Sequence, residues 1–230
     1  MDTTTRQRRR RSELTRRRIL EAARRLFNDR GTAAVSTNHI AAATGISPGN
    51  LYYHFRDKHD IIRALHAHYA AAHEDRWEPS PDPTQNLARL GENLAAGMAL
   101  AFQYRFFERE ILALLRADPK LQAAYREFYQ RRLGQWVAFG EQLVAQGVLR
   151  PPRPPRTLHD LAVAIWLIAE SWIGFLDLTG DPADPRQVAR GADLVLVALE
   201  PYLTAKGRRA VAALAPATAR GEQDDAKEQP

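Results

Sequence analysis

Residues 36–58 read Ser-Thr-Asn-His-Ile-Ala-Ala-Ala-Thr-Gly-Ile-Ser-Pro-Gly-Asn-Leu-Tyr-Tyr-His-Phe-Arg-Asp-Lys. Their pattern predicts two short helices joined by a tight turn. Ser36 can cap the first helix, because a serine oxygen accepts a hydrogen bond from an N–H group one turn on. Gly45 can end that helix, since glycine adopts the left-handed conformation at little cost. Ser47 is then the next N-cap and Pro48 the first helical residue, where a missing N–H does no harm.

The second of these helices has an apolar rear edge and a polar, aromatic front. Leu51 and Phe55 are four residues apart and therefore share one face. The residues of this helix that a core does not need are Gly49, Asn50, Tyr52, Tyr53 and His54. This division is typical of the recognition helix of a helix-turn-helix motif, which we place at residues 36–55.

The stretch resembles the DNA-binding domain of the TetR family of bacterial transcriptional regulators. The resemblance covers about residues 12–72, and its motif positions follow without a gap: Thr37-Asn38-His39-Ile40-Ala41, Gly45-Ile46-Ser47-Pro48-Gly49-Asn50-Leu51-Tyr52-Tyr53-His54-Phe55, and Lys58. It implies an all-α fold of about nine helices. An N-terminal three-helix helix-turn-helix domain would be followed by a C-terminal helical ligand-binding and dimerisation domain. Beyond residue 72 only this architecture is implied.

The resemblance also implies DNA contacts, and the chemistry of the side chains agrees with them. Hydroxyls, amides and cations bind phosphate oxygens, and a helix N-terminus favours an anion. Asn50 alone has a side chain suited to bidentate reading of adenine. We expect one of the two adjacent tyrosines to be partly packed and favour Tyr53 for DNA. The DNA-contact residues implied are Ser36, Thr37, Asn38, Ser47, Pro48, Gly49, Asn50, Tyr52, Tyr53, His54 and Lys58.

One position departs from the family pattern. His39 stands where the family often has an acidic residue, and we expect this to weaken the capping box at the start of the first short helix.

Positive charge is concentrated at the N-terminus. The chain carries a net charge of +6, whereas residues 1–30 alone hold eleven arginines and carry +7, which leaves −1 for the rest. Such an excess of positive charge beside the helix-turn-helix is typical of a surface that binds the negatively charged DNA. Residues 1–11 have no apolar pattern and are predicted to be a disordered basic arm for the minor groove or the phosphates. Arg16, Arg17 and Arg18 surround the next helix and cannot all touch DNA.

Composition argues against several other classes of protein. The chain has no cysteine, which excludes disulfides and thiolate sites and fits a cytoplasmic protein. The arginine-rich N-terminus does not resemble a signal peptide. We find no Gly-rich phosphate loop, nucleophile elbow or metal-spaced cluster, and predict no catalytic residue, cofactor or metal site.

A metal-dependent enzyme stays a remote alternative, since His59, His66 and His73 recur every seven residues. That spacing covers about 10 Å of helix, too far for one ion.

A proline-rich linker starting at Trp77 divides the chain. We predict a DNA-binding domain over residues 12–76, a regulatory and dimerisation domain over 77–203, and a disordered tail over 204–230. Aromatic side chains concentrated in the regulatory part suit a pocket for a flat or hydrophobic small molecule, although ordinary core packing would use them equally well.

Residues 161–176 are apolar all round. A membrane span is the alternative, but the run is shorter than the ~20 residues required and Glu170 lies near its centre. We therefore predict no membrane association and a homodimer formed by helices at about 158–178 and 185–203. A buried Glu170 must find a partner, such as Trp166, Trp172 or an arginine, or take a proton, and it could also anchor a ligand.

The expectation that combines these observations is a cytoplasmic, homodimeric repressor of transcription. It would bind an inverted repeat in double-stranded DNA and be released by an unidentified small hydrophobic ligand. An activator or a ligand-independent regulator with the same fold is the alternative.

Overall fold

The structure, a computed structural model, describes residues 3–73 and 77–214. It confirms the all-α prediction: the described residues form no β-strand, and a single bridge pairs Leu149 with Leu203. A 3₁₀ turn at Glu200–Tyr202 precedes the last helix. The helices are α1 (Thr3–Ala34), α2 (Thr37–Thr44), α3 (Pro48–His54), α4 (Lys58–Ala71), α5 (Pro83–Gln103), α6 (Arg105–Ala117), α7 (Pro119–Ala145), α8 (Leu158–Thr179), α9 (Pro185–Leu199) and α10 (Ala205–Leu214).

The described chain groups into two compact units, each with its own apolar core. The first unit comprises the described residues up to 73 together with 99–130 and 170–182, and the second comprises 77–98, 131–169 and 183–214. The core of the first unit includes Phe27, Ile40, Leu51, Ile61 and Phe106. That of the second includes Trp77, Leu94, Phe139, Leu143 and Val195. The first unit therefore takes in α6 and parts of α5, α7 and α8 beyond the predicted DNA-binding domain.

Helix α1 begins earlier than predicted. We expected residues 1–11 to be disordered, but α1 starts at Thr3. Arginine is a good helix former, and Arg9 Nε lies 3.2 Å from Glu13 Oε1 one turn further on. The prediction of disorder was therefore wrong for residues 3–11, and residues 1 and 2 lie outside the described residues. The arginines of this segment are exposed to solvent.

The predicted disordered tail, residues 204–230, also begins with a helix. Thr204 caps α10, because its Oγ1 accepts a hydrogen bond from Gly207 N at 3.0 Å. Gly207 is packed so closely that a Cβ atom there would lie 2.3 Å from the carbonyl oxygen of Val148. The prediction was therefore wrong for residues 205–214, and residues 215–230 lie outside the described residues.

A junction at Gly31 connects α1 with α4 and α6. Gly31 has φ +77° and ψ 159°, a conformation essentially restricted to glycine. The next residue, Thr32, donates its N–H to Glu110 Oε1 at 2.9 Å and its hydroxyl to Glu110 Oε2. Lys58 Nζ donates to the carbonyl oxygens of Thr32, at 2.6 Å, and Val35, at 3.1 Å. One glycine thus lets α6 and the start of α4 bind the same stretch of backbone.

The substitution Gly31→Ala is expected to lower the free energy of unfolding by about 1–3 kcal/mol. Its methyl group would lie 3.1 Å from Glu110 Oε1 and force a strained backbone. Urea unfolding measures the change. Gly97→Ala in α5 is the control, because a Cβ atom there has nothing within 4 Å and should increase stability by up to about 1 kcal/mol. A Gly31→Ala protein as stable as the parent would show that the junction tolerates a side chain.

Candidate nucleic-acid interface

Helix α2 is held at both ends by local contacts. Ser36 Oγ accepts a hydrogen bond from His39 N at 3.3 Å. His39 Nδ1 accepts in return from Ser36 N at 3.3 Å. The capping box is therefore complete, and our expectation that His39 weakens it was wrong, because an imidazole nitrogen supplies the acceptor that a carboxylate usually provides. Gly45 ends the helix with φ +67°, as predicted.

Helix α3 is short, and its rear edge fixes it to the core. Ser47 Oγ accepts from Asn50 N at 3.2 Å, and Pro48 occupies the first turn, as predicted. Leu51 is fully buried and Phe55 almost so. These contacts leave the opposite face of the helix to solvent.

Two arginines of α1 bind the carboxyl ends of these short helices. Arg16 Nη1 donates to the His54 carbonyl oxygen at 3.0 Å, and its guanidinium carbon lies 4.1 Å from the centre of the Phe55 ring. Arg18 Nη2 donates to the Thr44 carbonyl oxygen at 2.9 Å. The last carbonyls of a helix lack intrahelical partners and carry partial negative charge, so a cation there satisfies them. The sequence showed only an arginine cluster and no signal for this role.

The structure brings the predicted contact residues onto the beginning of α2, along α3 and at the start of α4. The exposed ones are Ser36, Asn38, Ser47, Pro48, Gly49, Asn50, Tyr52 and Tyr53, and the half-buried ones are Thr37, His54 and Lys58. This arrangement combines hydroxyls, an amide and aromatic rings on one exposed helix, which is what contact with a DNA groove requires.

The two adjacent tyrosines of α3 differ in their surroundings. The Tyr52 hydroxyl lies 3.0 Å from Thr37 Oγ1, which joins the beginnings of α2 and α3. Tyr53 is 73% exposed, against 50% for Tyr52. Tyr53 is therefore the more exposed of the two, and our preference for it as the DNA contact stays a prediction.

Two charged or titratable residues have roles that the sequence did not reveal. Lys58 Nζ donates two hydrogen bonds to backbone carbonyl oxygens at the end of α1, as described above, and its contact with a phosphate stays a prediction. Partial burial lowers the pKa of His54, and the nearby charge of Arg16 lowers it further. His54 is therefore a neutral hydrogen-bonding group at neutral pH rather than a cation.

The histidines that repeat every seven residues from His59 differ in burial. His66 and His73 are buried, whereas His59 and His68 are exposed. Within the described part of the chain, no group of three or more His, Cys, Asp or Glu side chains is arranged to hold a metal ion.

Two capped helices meeting at a tight turn, the second presenting a polar and aromatic face, define a helix-turn-helix DNA-binding protein. Residues 19–65 match the family model described as bacterial regulatory proteins, tetR family. Residues 68–211 match the TetR model described as bacterial transcriptional repressor. The chain belongs to the TetR family of bacterial transcriptional regulators. This is a family of DNA-binding regulators and not of enzymes.

Some relatives match this chain over a short stretch only. The regulator TtgR of Pseudomonas putida is 38% identical over 74 residues, which cover 29% of this chain and 35% of TtgR. UidR of Escherichia coli is 45% identical over 51 residues, covering 22% of this chain and 26% of UidR. The chain thus matches about a third or less of these relatives' lengths.

Solved structures extend the similarity further. A TetR-family regulator from Marinobacter aquaeolei is 33% identical, with a TM-score of 0.76, covering 86% of this chain and 96% of that one. KstR2 of Mycobacterium tuberculosis, a ketosteroid transcriptional regulator, is 19% identical with a TM-score of 0.61, covering 82% of this chain and 95% of that one. At 19% identity, the similarity to KstR2 shows only that the two proteins share a fold.

Proposed function

We propose that the protein is a cytoplasmic, homodimeric repressor that binds an inverted-repeat operator through α3 and is released by a small hydrophobic ligand. The observation that carries the proposal is the exposed face of α3, held outward by buried Leu51 and Phe55. In a two-fold dimer the two copies of α3 would enter successive major grooves. The half-sites would then be separated by about 34 Å or more.

An exposed apolar stripe on α8 supports dimerisation. Exposed residues recur at intervals of three or four along this helix: Ala164, Leu167, Ser171, Phe175 and Leu178. Leu178 is 85% exposed and Leu167 58%. By length and composition alone α8 could span a membrane, but a matching stripe on a second copy would cover these leucines in water. Val197 on α9 is exposed as well, consistent with an interface through residues 158–178 and 185–203.

The substitution Leu178→Glu is expected to weaken the dimer by at least about 100-fold, because a two-fold interface would bury two unpaired carboxylates. Sedimentation equilibrium measures the monomer–dimer balance. Leu112→Glu, which changes an equally apolar, 67% exposed residue of α6, is the matched control and should leave the balance unchanged. If Leu178→Glu remained as dimeric as the control, α8 would not be the interface.

An apolar cavity in the second unit supports ligand binding. It measures about 60 Å³ and is lined mainly by aliphatic and aromatic side chains of α5, α7, α8 and α9, among them Trp136, Phe139 and Leu161. Pockets for drug-sized ligands are several times larger, so a ligand would have to displace side chains. The Trp136 Nε1 atom is buried and has no hydrogen-bond partner in the described structure. An apolar molecule with one acceptor atom would satisfy it.

Polar contacts within the first unit supply a physical connection from regulatory helices to the DNA-binding helices. Asn28 Nδ2 donates to the Gln103 carbonyl oxygen at 2.8 Å, and Asn28 Oδ1 accepts from Phe106 N at 3.1 Å. Arg63 of α4 binds Asp118, which caps α7. Movement of α6 or α7 would therefore bias α1 and α4. Coupling free energies of this kind are typically about 1–3 kcal/mol.

The experiment that tests the proposal is selection of bound duplexes from a random library at two salt concentrations. An inverted repeat at both concentrations is expected. Binding without sequence preference that disappears at the higher concentration would mean that the arginines of α1 dominate through phosphate contacts, and would contradict a specific repressor.

The substitution Asn50→Ala is expected to cost about 1–3 kcal/mol of operator affinity and to relax the base preference at one position of each half-site. Its side chain is the exposed amide of α3. Repeating the selection with the variant measures both effects. Asn38→Ala, at an exposed asparagine of α2 expected to meet phosphate, should weaken binding without changing the selected sequence. An unchanged preference in Asn50→Ala would remove Asn50 from base readout.

A further inference from the structure

Helix α3 is attached differently at its two ends. Near the amino end, the Tyr52 hydroxyl lies 3.0 Å from Thr37 Oγ1 of α2, and in the middle Leu51 is fully buried. The helix ends at His54, and the chain leaves it through Phe55, which is extended with φ −142° and ψ 125°. Because seven residues cannot hold a direction by helix propensity, the contacts at the carboxyl end decide where α3 points.

One side chain of α1, Arg16, contacts this carboxyl end in two ways. Its Nη1 atom donates to the His54 carbonyl oxygen at 3.0 Å, and its guanidinium carbon lies 4.1 Å from the centre of the Phe55 ring. A guanidinium is planar, so it can donate in its plane while its face covers an aromatic ring, which a compact ammonium group cannot do. The two contacts together favour one position of the end of α3 relative to α1.

Helix α1 is a firm support for these contacts. Ile19 and Phe27 are fully buried in the core of the first unit, and Arg16 lies one turn before Ile19. Arg18 Nη2 donates to the Thr44 carbonyl oxygen at the end of α2, at 2.9 Å. A single turn of α1 therefore holds the carboxyl ends of both helices of the motif.

The end of α3 that Arg16 holds carries residues expected to touch DNA. The ring centres of Tyr53 and His54 are 5.2 Å apart, edge to face, and Asn50 lies one turn before His54. A hydrogen bond to a base edge weakens steeply when its distance or angle departs from the favoured range. A small rotation of α3 would therefore cost base contacts, whereas long cationic side chains can follow a phosphate.

We propose that Arg16 is a positioning residue for sequence recognition: it sets the direction in which α3 enters the major groove, and thereby the preference for the operator over other DNA. The inference rests on the proposed function, since it requires that α3 reads bases. The competing explanation is a direct contact between Arg16 and a DNA phosphate. Such a contact strengthens binding to every sequence and adds about one to the salt slope, whereas a positioning contact acts on the operator.

Titrations of the full-length protein against two labelled duplexes at several salt concentrations test the inference. One duplex carries the inverted repeat selected from the random library, and the other has the same base composition in scrambled order. We expect Arg16→Ala to reduce the ratio of the two affinities at least about 5-fold. Arg16→Lys should also reduce this ratio while keeping the salt slope of the parent. Arg17→Ala, which removes an exposed arginine of the same turn, is the matched control and should leave the ratio unchanged.

The affinity ratio separates this role from a merely structural one, because partial unfolding weakens binding to both duplexes by the same factor. A parent that prefers the repeat, with an unchanged ratio in Arg16→Ala, would overturn the inference and leave the proposed function intact. A selection that yields no inverted repeat would contradict the proposed function and the inference with it. Circular dichroism establishes that each variant is folded. If Arg16→Ala does not fold, Arg16→Lys decides the question by the same ratio.

Discussion

Replacing Leu51 with alanine is expected to lower the free energy of unfolding by about 2–5 kcal/mol and to abolish operator binding. Leu51 is the fully buried side chain of α3 and belongs to the core of the first unit. Truncating a buried leucine loses its transfer free energy and leaves a cavity. Because α3 has only seven residues, it cannot hold its position by helix propensity, and its orientation depends on this contact.

The matched control is Tyr53→Ala, two residues further along the same helix. Tyr53 is 73% exposed, so its truncation should change stability by no more than about 0.5 kcal/mol. Operator affinity should nevertheless fall. Urea unfolding and titration of the selected duplex measure the two effects separately. A Leu51→Ala protein that bound the duplex like the parent would show that α3 is not fixed by its rear edge, and unchanged affinity in Tyr53→Ala would remove that ring from the DNA contacts.

The second large effect is a loss of stability at low pH that depends on His66. Its pKa is lowered by burial from 6.5 to about 4, so between these values the unfolded chain binds more protons than the folded one. Stability must therefore fall as the pH drops from about 6.5 towards 4. A difference of this size corresponds to about 3 kcal/mol once the pH is below both values. Urea unfolding at several pH values measures it.

The variant His66→Gln should remove this part of the pH dependence, since glutamine does not titrate. His68→Gln is the control on the same helix, because His68 is exposed and its substitution should leave the profile unchanged. Glu108 contributes with the opposite sign, since its raised pKa favours the folded state as the pH falls, so the comparison between variants isolates the histidine. Equal pH profiles for the parent and His66→Gln would mean that His66 takes up its proton without cost in the folded protein.

The helix-turn-helix could be predicted because its helix ends depend on neighbours within four residues. Ser47 and Pro48 begin α3 and Gly45 ends α2, as their side-chain chemistry indicates. The wrong predictions concern positions where the local sequence pattern is weak or where another residue type can play the same role. His39 accepts the capping-box hydrogen bond that a carboxylate usually accepts. Residues 3–11 are part of α1, although they have no apolar pattern that predicts a helix.

The sequence by itself thus determined the all-α class, the position of the motif and the residues that α3 presents. Only the tertiary structure decided what several charged side chains do. Arg16 and Arg18 bind carbonyl oxygens 38 and 26 positions away, and Lys58 binds the end of α1 instead of remaining wholly free for DNA. Glu108 and Tyr69 meet across 39 positions. Periodicity and capping report on contacts within a turn or two, whereas a long-range hydrogen bond depends on how helices pack, and that is fixed by the complete core.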